Sequence, residues 1–442
     1  MATEVKHHSV NHPALERIIT IDPFQISTVL SVSDFHIGDK SSHERFSQDE
    51  EFYRFLKYHE SHPRTHLVIA GDFFDTVQVH VEGASAMDIS EKIACQKMTR
   101  ILTAHTQVFE GLKDFAIQNG ITFLIGNHDP ALAFPKVRDL IKSRIGNPRN
   151  LHFALEFHTG DLRVIHGNQW DSANRFDDDF LKLALSNRLE KMKFPWGSIF
   201  LIDFVSSIRK RIPQIEQIKP LGAYLRWSAM NRPSDFLWAT YSFLKFLFKG
   251  LLSQRADLRF SPWRLYKTLK NACHSCDFIS HASEALQLNS GVLIAGHTHR
   301  ALRAQISDKA LYLNTGCWNP ILELNEGKFI SRHHLSYAEI KINNSGQCSL
   351  EECLLKEWIS GQGPRHFSPS FYNTHMHPPI KGLIWRSTKV ALVVWPLLML
   401  INHHQRLLGG SAWNVILSYQ SLLTFCVPFT VSLVSRLGEK SN

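Results

Sequence analysis

Short apolar runs, each ended by a turn residue, are the clearest pattern along the 442-residue chain. Runs of this kind are typical of buried strands, and six of them stand out: STVLSVSDFH, THLVIAGDFFD, ITFLIGNHDP, DLRVIHGNQW, GVLIAGHTHR and ALYLNTGCWNP. Helix-length segments at 48–60 and 91–118 separate the early runs. Alternation of strands with helices predicts a layered α/β body.

The pattern changes after residue 170, where the sequence becomes helical, aromatic and basic and no comparable strand is predicted. Strand signals return later, at 291–295, 311–315, 337–342 and 348–354. We therefore predict a helical insertion within the α/β body. The predicted divisions are an N-terminal tail (1–25), the α/β body (26–170 and 286–355) and a basic helical lid (171–285).

A linker and a hydrophobic tail are predicted after the body, at 356–382 and 383–442. The tail has one apolar tract at 390–401, which is shorter than the about 20 residues that span a bilayer, and another at 407–435 without charged residues. Basic residues on both sides are typical of a cytoplasmic membrane rim: Arg386, Lys389, Arg436 and Lys440. We expect the tail to associate with a membrane; the alternative is an apolar helix pair packed on the body.

Composition refines this picture. The net charge of +9 favours anionic partners. The seven cysteines are scattered, which predicts reduced thiols rather than a disulfide framework. The N-terminus lacks the pattern of a secretory signal. These features predict a protein on the cytoplasmic side of a membrane, whereas the oligomeric state stays open.

Polar residues with ligand chemistry follow five of the predicted strands. In chain order they are Asp34 and His36, Asp72 and Asp75, Asn127 with His128 and Asp129, His166, and finally His297 and His299. Open α/β sheets place their sites at the carboxyl ends of strands. Each motif alone is commonplace, but the ordered set predicts one shared site.

A cluster of this size exceeds the three or four ligands of a single zinc ion. It fits two divalent metal ions about 3.5–4 Å apart, and mixed nitrogen and oxygen ligands favour Mn, Fe or Zn. Two such cations acidify a shared water and bind phosphoryl oxygens. A nearby imidazole can then protonate the leaving oxygen. The sequence thus predicts hydrolysis of a phosphoester or pyrophosphate bond.

The ordered series D-x-H, GD-x-x-D, GNHD, H-G and GHTH resembles the calcineurin-like metallophosphoesterase superfamily over roughly 27–170 and 286–355. The resemblance implies a four-layer α/β/β/α sandwich. It also implies roles for the individual residues: Asp34, His36 and His299 on one metal, Asp72 bridging, Asn127, His166 and His297 on the second, His128 as the leaving-group acid, Asp129 steering His128, and Asp75 supporting the ligands.

Positive charge is concentrated in the predicted lid. Residues 182–270 contain 17 Lys and Arg against five Asp and Glu, a net charge of +12, so the rest of the chain sums to −3. Within this stretch, residues 236–252 are largely apolar. They predict either a buried helix of the lid or a surface that takes acyl chains or enters a bilayer. This arrangement resembles the UDP-diacylglucosamine pyrophosphohydrolases, although those enzymes usually carry arginine where this chain has His128.

The expected substrate is therefore an amphiphile with an anionic, phosphorylated head. A soluble nucleotide, a phosphoprotein or a nucleic acid is the alternative. Nucleic acid is not favoured, although aromatic residues that could stack on bases are present: Trp196, Tyr224, Trp227 and Trp263. A second alternative is a non-catalytic, membrane-tethered scaffold.

Overall fold

The computed structural model describes residues 12–42, 44–86, 90–192, 194–219, 221–252, 278–286, 291–325, 328–367 and position 394. Apart from position 394, all of them belong to one unit made of residues 1–268 and 275–369. Both apolar tracts predicted to form the membrane-associating tail lie outside the described residues, apart from position 394.

Most of the strands belong to one large mixed sheet. The described strands are β1 (Leu15–Thr20), β2 (Thr28–Val32), β3 (Thr65–Ile69), β4 (Gly120–Leu124), β5 (Leu151–Thr159), β6 (Leu162–Ile165), β7 (Ile218–Lys219), β8 (Gly291–Ala295), β9 (Ala301–Ser307), β10 (Ala310–Thr315), β11 (Ile321–Asn325), β12 (Lys328–Arg332), β13 (Ser336–Lys341), β14 (Cys353–Ile359) and β15 (Gly363–His366). The order in the large sheet is β15-β14-β13-β2-β3-β4-β5-β6-β8-β10-β9, with β1 also paired to β5. Strands β2 to β5 are mutually parallel, as are β6, β8 and β10, so each group ends at a common edge.

The helices are α1 (Asp49–Glu60), α2 (Glu91–Ala104), α3 (Thr106–Phe115), α4 (Pro135–Arg144), α5 (Asp178–Leu185), α6 (Trp196–Phe200), α7 (Ser206–Arg209), α8 (Leu221–Asn231), α9 (Pro233–Leu252) and α10 (Ile279–Leu286). A π-helical turn (Leu201–Val205) joins α6 to α7. Among the helices of the described residues, none is both long and apolar enough to cross a membrane.

Helix α1 shows how the sequence produces a helix that packs on the sheet. Three acidic residues occupy its first turn, where they interact favourably with the helix dipole. Phe52, Phe55 and Leu56 follow at the i, i+3, i+4 spacing that puts side chains on one face, and all three are fully buried. Each contributes about 1.5–3 kcal/mol by burial, which fixes α1 on the sheet.

Alternate residues of the inner strands enter different cores. In β3, Leu67 packs in the core shared with α1 to α4, whereas Val68 faces the opposite side. In β8, Ile294 joins the core of Val68, whereas Leu293 packs with Ala282 of α10. One core therefore lies between the two halves of a curled sheet, and helices cover both outer faces. The predicted four-layer α/β/β/α fold is confirmed.

Four elements differ from the sequence prediction. Residues 15–20 of the predicted N-terminal tail form β1, which pairs with β5 in parallel. The last predicted strand begins at 353 rather than 348, and β15 lies inside the predicted linker. The predicted helix 91–118 breaks at His105, whose imidazole lies between the carboxylates of Glu44 and Asp49. In each case, pairing with distant residues decided the boundary.

The described part of the insertion is mainly helical but contains the two-residue strand β7. This strand pairs in parallel with β11, which in turn pairs with β12. The insertion is thus joined to the chain that follows β10 by a second, three-stranded sheet.

Candidate metal centre

The structure brings together at one sheet edge the predicted ligands that follow β2, β3, β6 and β8. Three groups of ligand-type side chains have donor atoms within 4.8 Å of one another. They are Asp34 with His36 and His299, Asp72 with His166 and His297, and His36 with Asp75 and His128. His299 belongs to the first group and His297 to the second.

The backbone at this edge adopts a conformation that side chains disfavour. Five of the predicted ligands have positive φ angles: Asp34 (57°), His36 (50°), Asp72 (51°), His297 (68°) and His299 (60°). Non-glycine residues rarely adopt this region, and such strain is found where function requires a particular side-chain direction. The surrounding fold therefore holds these side chains in place at a conformational cost.

The first ligand group consists of Asp34, His36 and His299. The Nε2 atoms of the two histidines lie 3.1 Å apart. Asp34 Oδ1 lies 3.3 Å from His299 Nε2 and 3.9 Å from His36 Nε2. The other carboxylate oxygen, Oδ2, accepts hydrogen bonds from Ser33 Oγ and from the backbone N–H of His297. This anchoring leaves Oδ1 directed at the two imidazoles.

The second group consists of Asp72, His166 and His297. His166 Nδ1 lies 2.8 Å from the carbonyl oxygen of Ala70, so Nδ1 carries the proton and Nε2 is available as a ligand. His166 Nε2 lies 3.2 Å from Asp72 Oδ2. Asp72 Oδ1 accepts a hydrogen bond of 2.7 Å from the backbone N–H of His128.

Three buried polar atoms of the predicted ligands lack a hydrogen-bond partner: Asp34 Oδ1, Asn127 Oδ1 and His166 Nε2. His166 Nε2 has Asp72 Oδ2 as a neighbour at 3.2 Å; burial lowers the pKa of His166, but Asp72 outweighs it and raises this pKa to about 10. Buried polar atoms almost always have partners, and leaving one without costs about 1–3 kcal/mol. All three are metal-ligand atoms of the mixed nitrogen and oxygen type. The residues present therefore fit divalent cations.

Two glycines make room for the ligands. A Cβ atom at Gly71 would lie 2.5 Å from His166 Nδ1, and one at Gly126 would overlap Asp72 Oδ1. Gly71 also has a φ of +83°, which side chains rarely adopt. The glycines of GD-x-x-D and GNHD are thus explained by the close approach of the ligand side chains.

The partner of His128 differs from the prediction. His128 Nδ1 lies 3.2 Å from Asp75 Oδ1. The oxygens of Asp129 instead accept hydrogen bonds from the backbone N–H groups of Gly126 and Phe73. The prediction that Asp129 steers His128 is therefore corrected: Asp75 contacts the imidazole, whereas Asp129 ties together two ligand loops. Neighbouring motif positions do not reveal which carboxylate turns towards the ring.

Electrostatics separate the histidines of the cluster. Burial lowers the pKa of His36 to about 3, with His128 adding to the effect. Burial also lowers the pKa of His128, but the carboxylates of Asp75 and Asp72 outweigh it and raise this pKa to about 9. At neutral pH His36 is a neutral ligand-type imidazole, whereas His128 holds a proton that it can donate.

Sequence reasoning missed two residues at this edge. Asp171 Oδ2 lies 3.3 Å from His297 Nε2, and Asn319 Nδ2 donates a 2.8 Å hydrogen bond to the carbonyl oxygen of Phe35, between two predicted ligands. Asp171 follows His166 by five positions in the loop after β6, so extending the search beyond the first residues of each loop would have found it. Asn319 gave no local signal.

No protein-family model matches the chain, and no curated protein is similar to it in sequence. Among solved structures, a dimetal phosphatase from Danio rerio shows 12% identity and a TM-score of 0.31 over 77% of this chain and 96% of that chain. A predicted phosphoesterase from Streptococcus pneumoniae shows 10% identity and a TM-score of 0.23 over 75% of this chain and 97% of that chain. A phosphopantetheinyl hydrolase from Mycobacterium tuberculosis shows 10% identity and a TM-score of 0.24 over 66% of this chain and 89% of that chain. Because these TM-scores are below 0.5, the function must be argued from the chain's own residues.

Proposed function

We propose that the chain is a metal-dependent phosphohydrolase that uses two divalent cations. The observation that carries this proposal is the set of unpartnered buried ligand atoms on Asp34, Asn127 and His166. Asp34 is grouped with His36 and His299, whose Nε2 atoms lie 3.1 Å apart. Two facing imidazole nitrogens suit a shared cation better than they suit each other.

Each side chain has a role in this proposal. Asp34, His36 and His299 would hold one cation, Asn127, His166 and His297 would hold the second, and Asp72 would contribute to both sites. Bound cations would stabilise negative charge on the phosphoryl oxygens and lower the pKa of an attacking water. His128 donates its proton to the leaving oxygen, and Asp75 keeps that imidazole protonated and oriented.

Metal analysis and hydrolysis of bis(p-nitrophenyl) phosphate test the proposal together. We expect about two Mn, Fe or Zn ions per chain and turnover that chelation abolishes. Asn127→Ala should lose one ion and lower kcat/KM by at least about 100-fold. Mutation of residues that only support the metal ligands already lowers metal affinity or activity 10- to 100-fold, so loss of a ligand should cost at least as much. Lys309→Met, at an exposed turn, is the matched control. A purified chain that binds no divalent cation would contradict the proposal.

We further propose that the substrate is lipid-linked, with UDP-diacylglucosamine as the first compound to test. Support comes from α9, which presents an exposed apolar stripe of Leu237 (55% exposed), Tyr241 (64%) and Leu244 (42%). These residues lie at the i, i+4, i+7 spacing of one helix face. Exposed apolar stripes beside basic residues suit amphiphiles with anionic heads.

Charge substitution on this stripe tests the lipid proposal. Tyr241→Lys and Leu244→Lys should raise KM for UDP-diacylglucosamine in mixed micelles, but leave bis(p-nitrophenyl) phosphate hydrolysis unchanged. Ile117→Lys, also at an exposed apolar position, is the matched control. A preference for soluble nucleotides over the lipid substrate would instead favour the alternative of a soluble phosphodiesterase or phosphatase.

We also propose that residues 383–442 attach the protein to the cytoplasmic side of a membrane. The support is the sequence itself: a tract without charged residues at 407–435, with basic residues on both sides. A version that ends at residue 369 should stay in the supernatant of a membrane fractionation in which the full chain pellets. If the shortened version also pellets, attachment belongs to the insertion.

A further inference from the structure

Residues from both ends of the predicted insertion (171–285) lie against His297. Asp171, in the loop after β6, has its Oδ2 atom 3.3 Å from His297 Nε2. Phe278 directly precedes α10. Its ring lies parallel to the imidazole of His297, with 8° between the planes and 5.9 Å between the centroids. One contact therefore fixes an edge of this imidazole, and the other covers its face.

A turn holds the carboxylate of Asp171 in a fixed orientation. Oδ1 accepts a hydrogen bond of 3.0 Å from the backbone N–H of Ala173, and Oδ2 accepts one of 2.7 Å from Asn174 Nδ2. The turn also packs against α6, because the backbone N–H of Gly197 donates to the carbonyl oxygen of Ala173 at 2.8 Å. Asp171 is only 8% exposed. Its Oδ2 atom is thus kept in place beside the imidazole.

The contact with Asp171 decides which ring nitrogen of His297 carries the proton. An ionised carboxylate only accepts hydrogen bonds, so Nε2, the nitrogen that faces it, is the donor. The lone pair of the neutral ring then lies on Nδ1, which is the nitrogen left to ligate a cation. Histidines that bind metals usually donate their other N–H to a carboxylate, a carbonyl oxygen or water, which orients the ring and makes it a better ligand.

We propose that Asp171 is a positioning residue that holds His297 in the tautomer whose Nδ1 is free for a cation. His297 is grouped with Asp72 and His166, so Asp171 supports the second ligand group. The inference rests on the proposed function and adds to it a residue outside the ligand motifs. It also gives the loop at the start of the insertion a role in metal binding.

Two substitutions of Asp171 distinguish a positioning role from a structural role in the turn. In Asp171→Asn, the backbone N–H of Ala173 keeps the amide oxygen, so the amide N–H group faces His297 Nε2. Nε2 must then accept, which moves the ring proton to Nδ1 and blocks that nitrogen for the cation. Asp171→Ala imposes neither tautomer. A positioning role therefore makes asparagine the more harmful replacement, whereas a structural role makes alanine the more harmful one.

Titration of the metal-free full chain with Mn²⁺ measures the first consequence. Asp171→Ala should weaken binding of one of the two ions by about 10-fold and Asp171→Asn by about 100-fold, the range for partners of metal-ligating histidines. The other ion should change by less than about 3-fold. Asp177→Asn is the matched control, because it removes the same charge at the exposed N-cap of α5, where asparagine caps equally well. Any other order of the two Asp171 variants, including no effect, would overturn the inference.

NMR correlations between the ring protons and nitrogens of histidine measure the tautomer without any bound cation. The metal-free chain is observed at mildly alkaline pH, and the signals of His297 are assigned by their loss in His297→Gln. The parent should carry the proton on Nε2, and Asp171→Asn should carry it on Nδ1. A proton on Nδ1 in the parent would overturn the inference and leave the phosphohydrolase standing. If the parent has Nε2–H but binds no cation, the proposed function fails, and with it the role of Asp171 in metal binding.

Discussion

Among the described residues, the structural cluster around His105 and the candidate metal centre both combine buried histidines with carboxylates, and the pKa values of His105 and His36 in them shift in opposite directions. In the structural cluster, His105 lies between carboxylates, with Nδ1 2.8 Å from Asp49 and Nε2 2.7 Å from Glu44. Burial lowers the pKa of His105, but these partners raise it to about 8. In the candidate metal centre, His36 Nε2 faces His299 Nε2 instead, and the pKa of His36 falls to about 3.

The comparison teaches that the arrangement of partners, rather than residue type, distinguishes a structural histidine from a ligand. An imidazole whose nitrogens face carboxylates is complete as a cation and holds two chain segments together. Two imidazole nitrogens that face each other can share one hydrogen bond at most and form no ion pair. Such a pair can bind a shared metal ion without breaking an ion pair, whereas His166, which faces Asp72 in the same centre, exchanges a carboxylate contact for the metal ion.

The largest effect is expected at His128, which combines features of both clusters. It lies at the centre but has a carboxylate partner and a raised pKa, as His105 has. His128→Asn should lower kcat by about 10²- to 10⁴-fold, the range for loss of a general acid, while metal content stays at the parent value. Loss of an ion in metal analysis would instead make His128 a ligand.

His36→Ala should separate metal binding from stability. We expect at least about a 100-fold loss of affinity for one ion. The metal-free protein should change in free energy of unfolding by less than about 1 kcal/mol, since this imidazole has no favourable partner to lose. Titration with Mn²⁺ and urea unfolding in chelator measure the two effects. A large loss of stability without metal would contradict the comparison.

His105→Gln should lower stability without affecting metal binding. Removing the imidazole leaves the buried carboxylates of Glu44 and Asp49 unpaired, which should cost about 3 kcal/mol in free energy of unfolding. Metal content and turnover should be unchanged below the unfolding transition. Urea unfolding measures the loss of stability, and metal analysis with phosphodiester hydrolysis measures metal content and turnover. Reduced metal binding in the fully folded variant would show that the two clusters are not independent.

The smallest expected effect is the pH dependence of the stabilisation that His105 contributes to the folded protein. The pKa of His105 is raised from 6.5 to about 8 in the folded protein, so its stabilisation is fully present below pH 6.5 and is lost as pH rises through about 8. A difference of that size corresponds to about 2 kcal/mol. The difference in free energy of unfolding between parent and His105→Gln should narrow by this amount from pH 6 to 9. A constant difference would show that His105 folds as the neutral imidazole.

The ligands and the layered fold were predictable from the sequence because both depend on local order. Short apolar strands end in the residues that serve the site, and parallel pairing brings these ends together within each of the two groups, β2 to β5 and β6, β8 and β10. His297 and His299 illustrate this, since their position after β8 was sufficient to predict that they belong to the shared site, whereas their assignment to separate groups came from the family resemblance.

The remaining features depend on contacts between residues far apart in the chain, which no local pattern encodes. Only the tertiary structure decided that Asp75 rather than Asp129 meets His128, that residues 15–20 add a strand beside β5, and that Asp171 reaches His297. Side-chain direction and strand pairing depend on packing against distant partners, whereas residue type and the order of the strands along the chain are already present in the sequence.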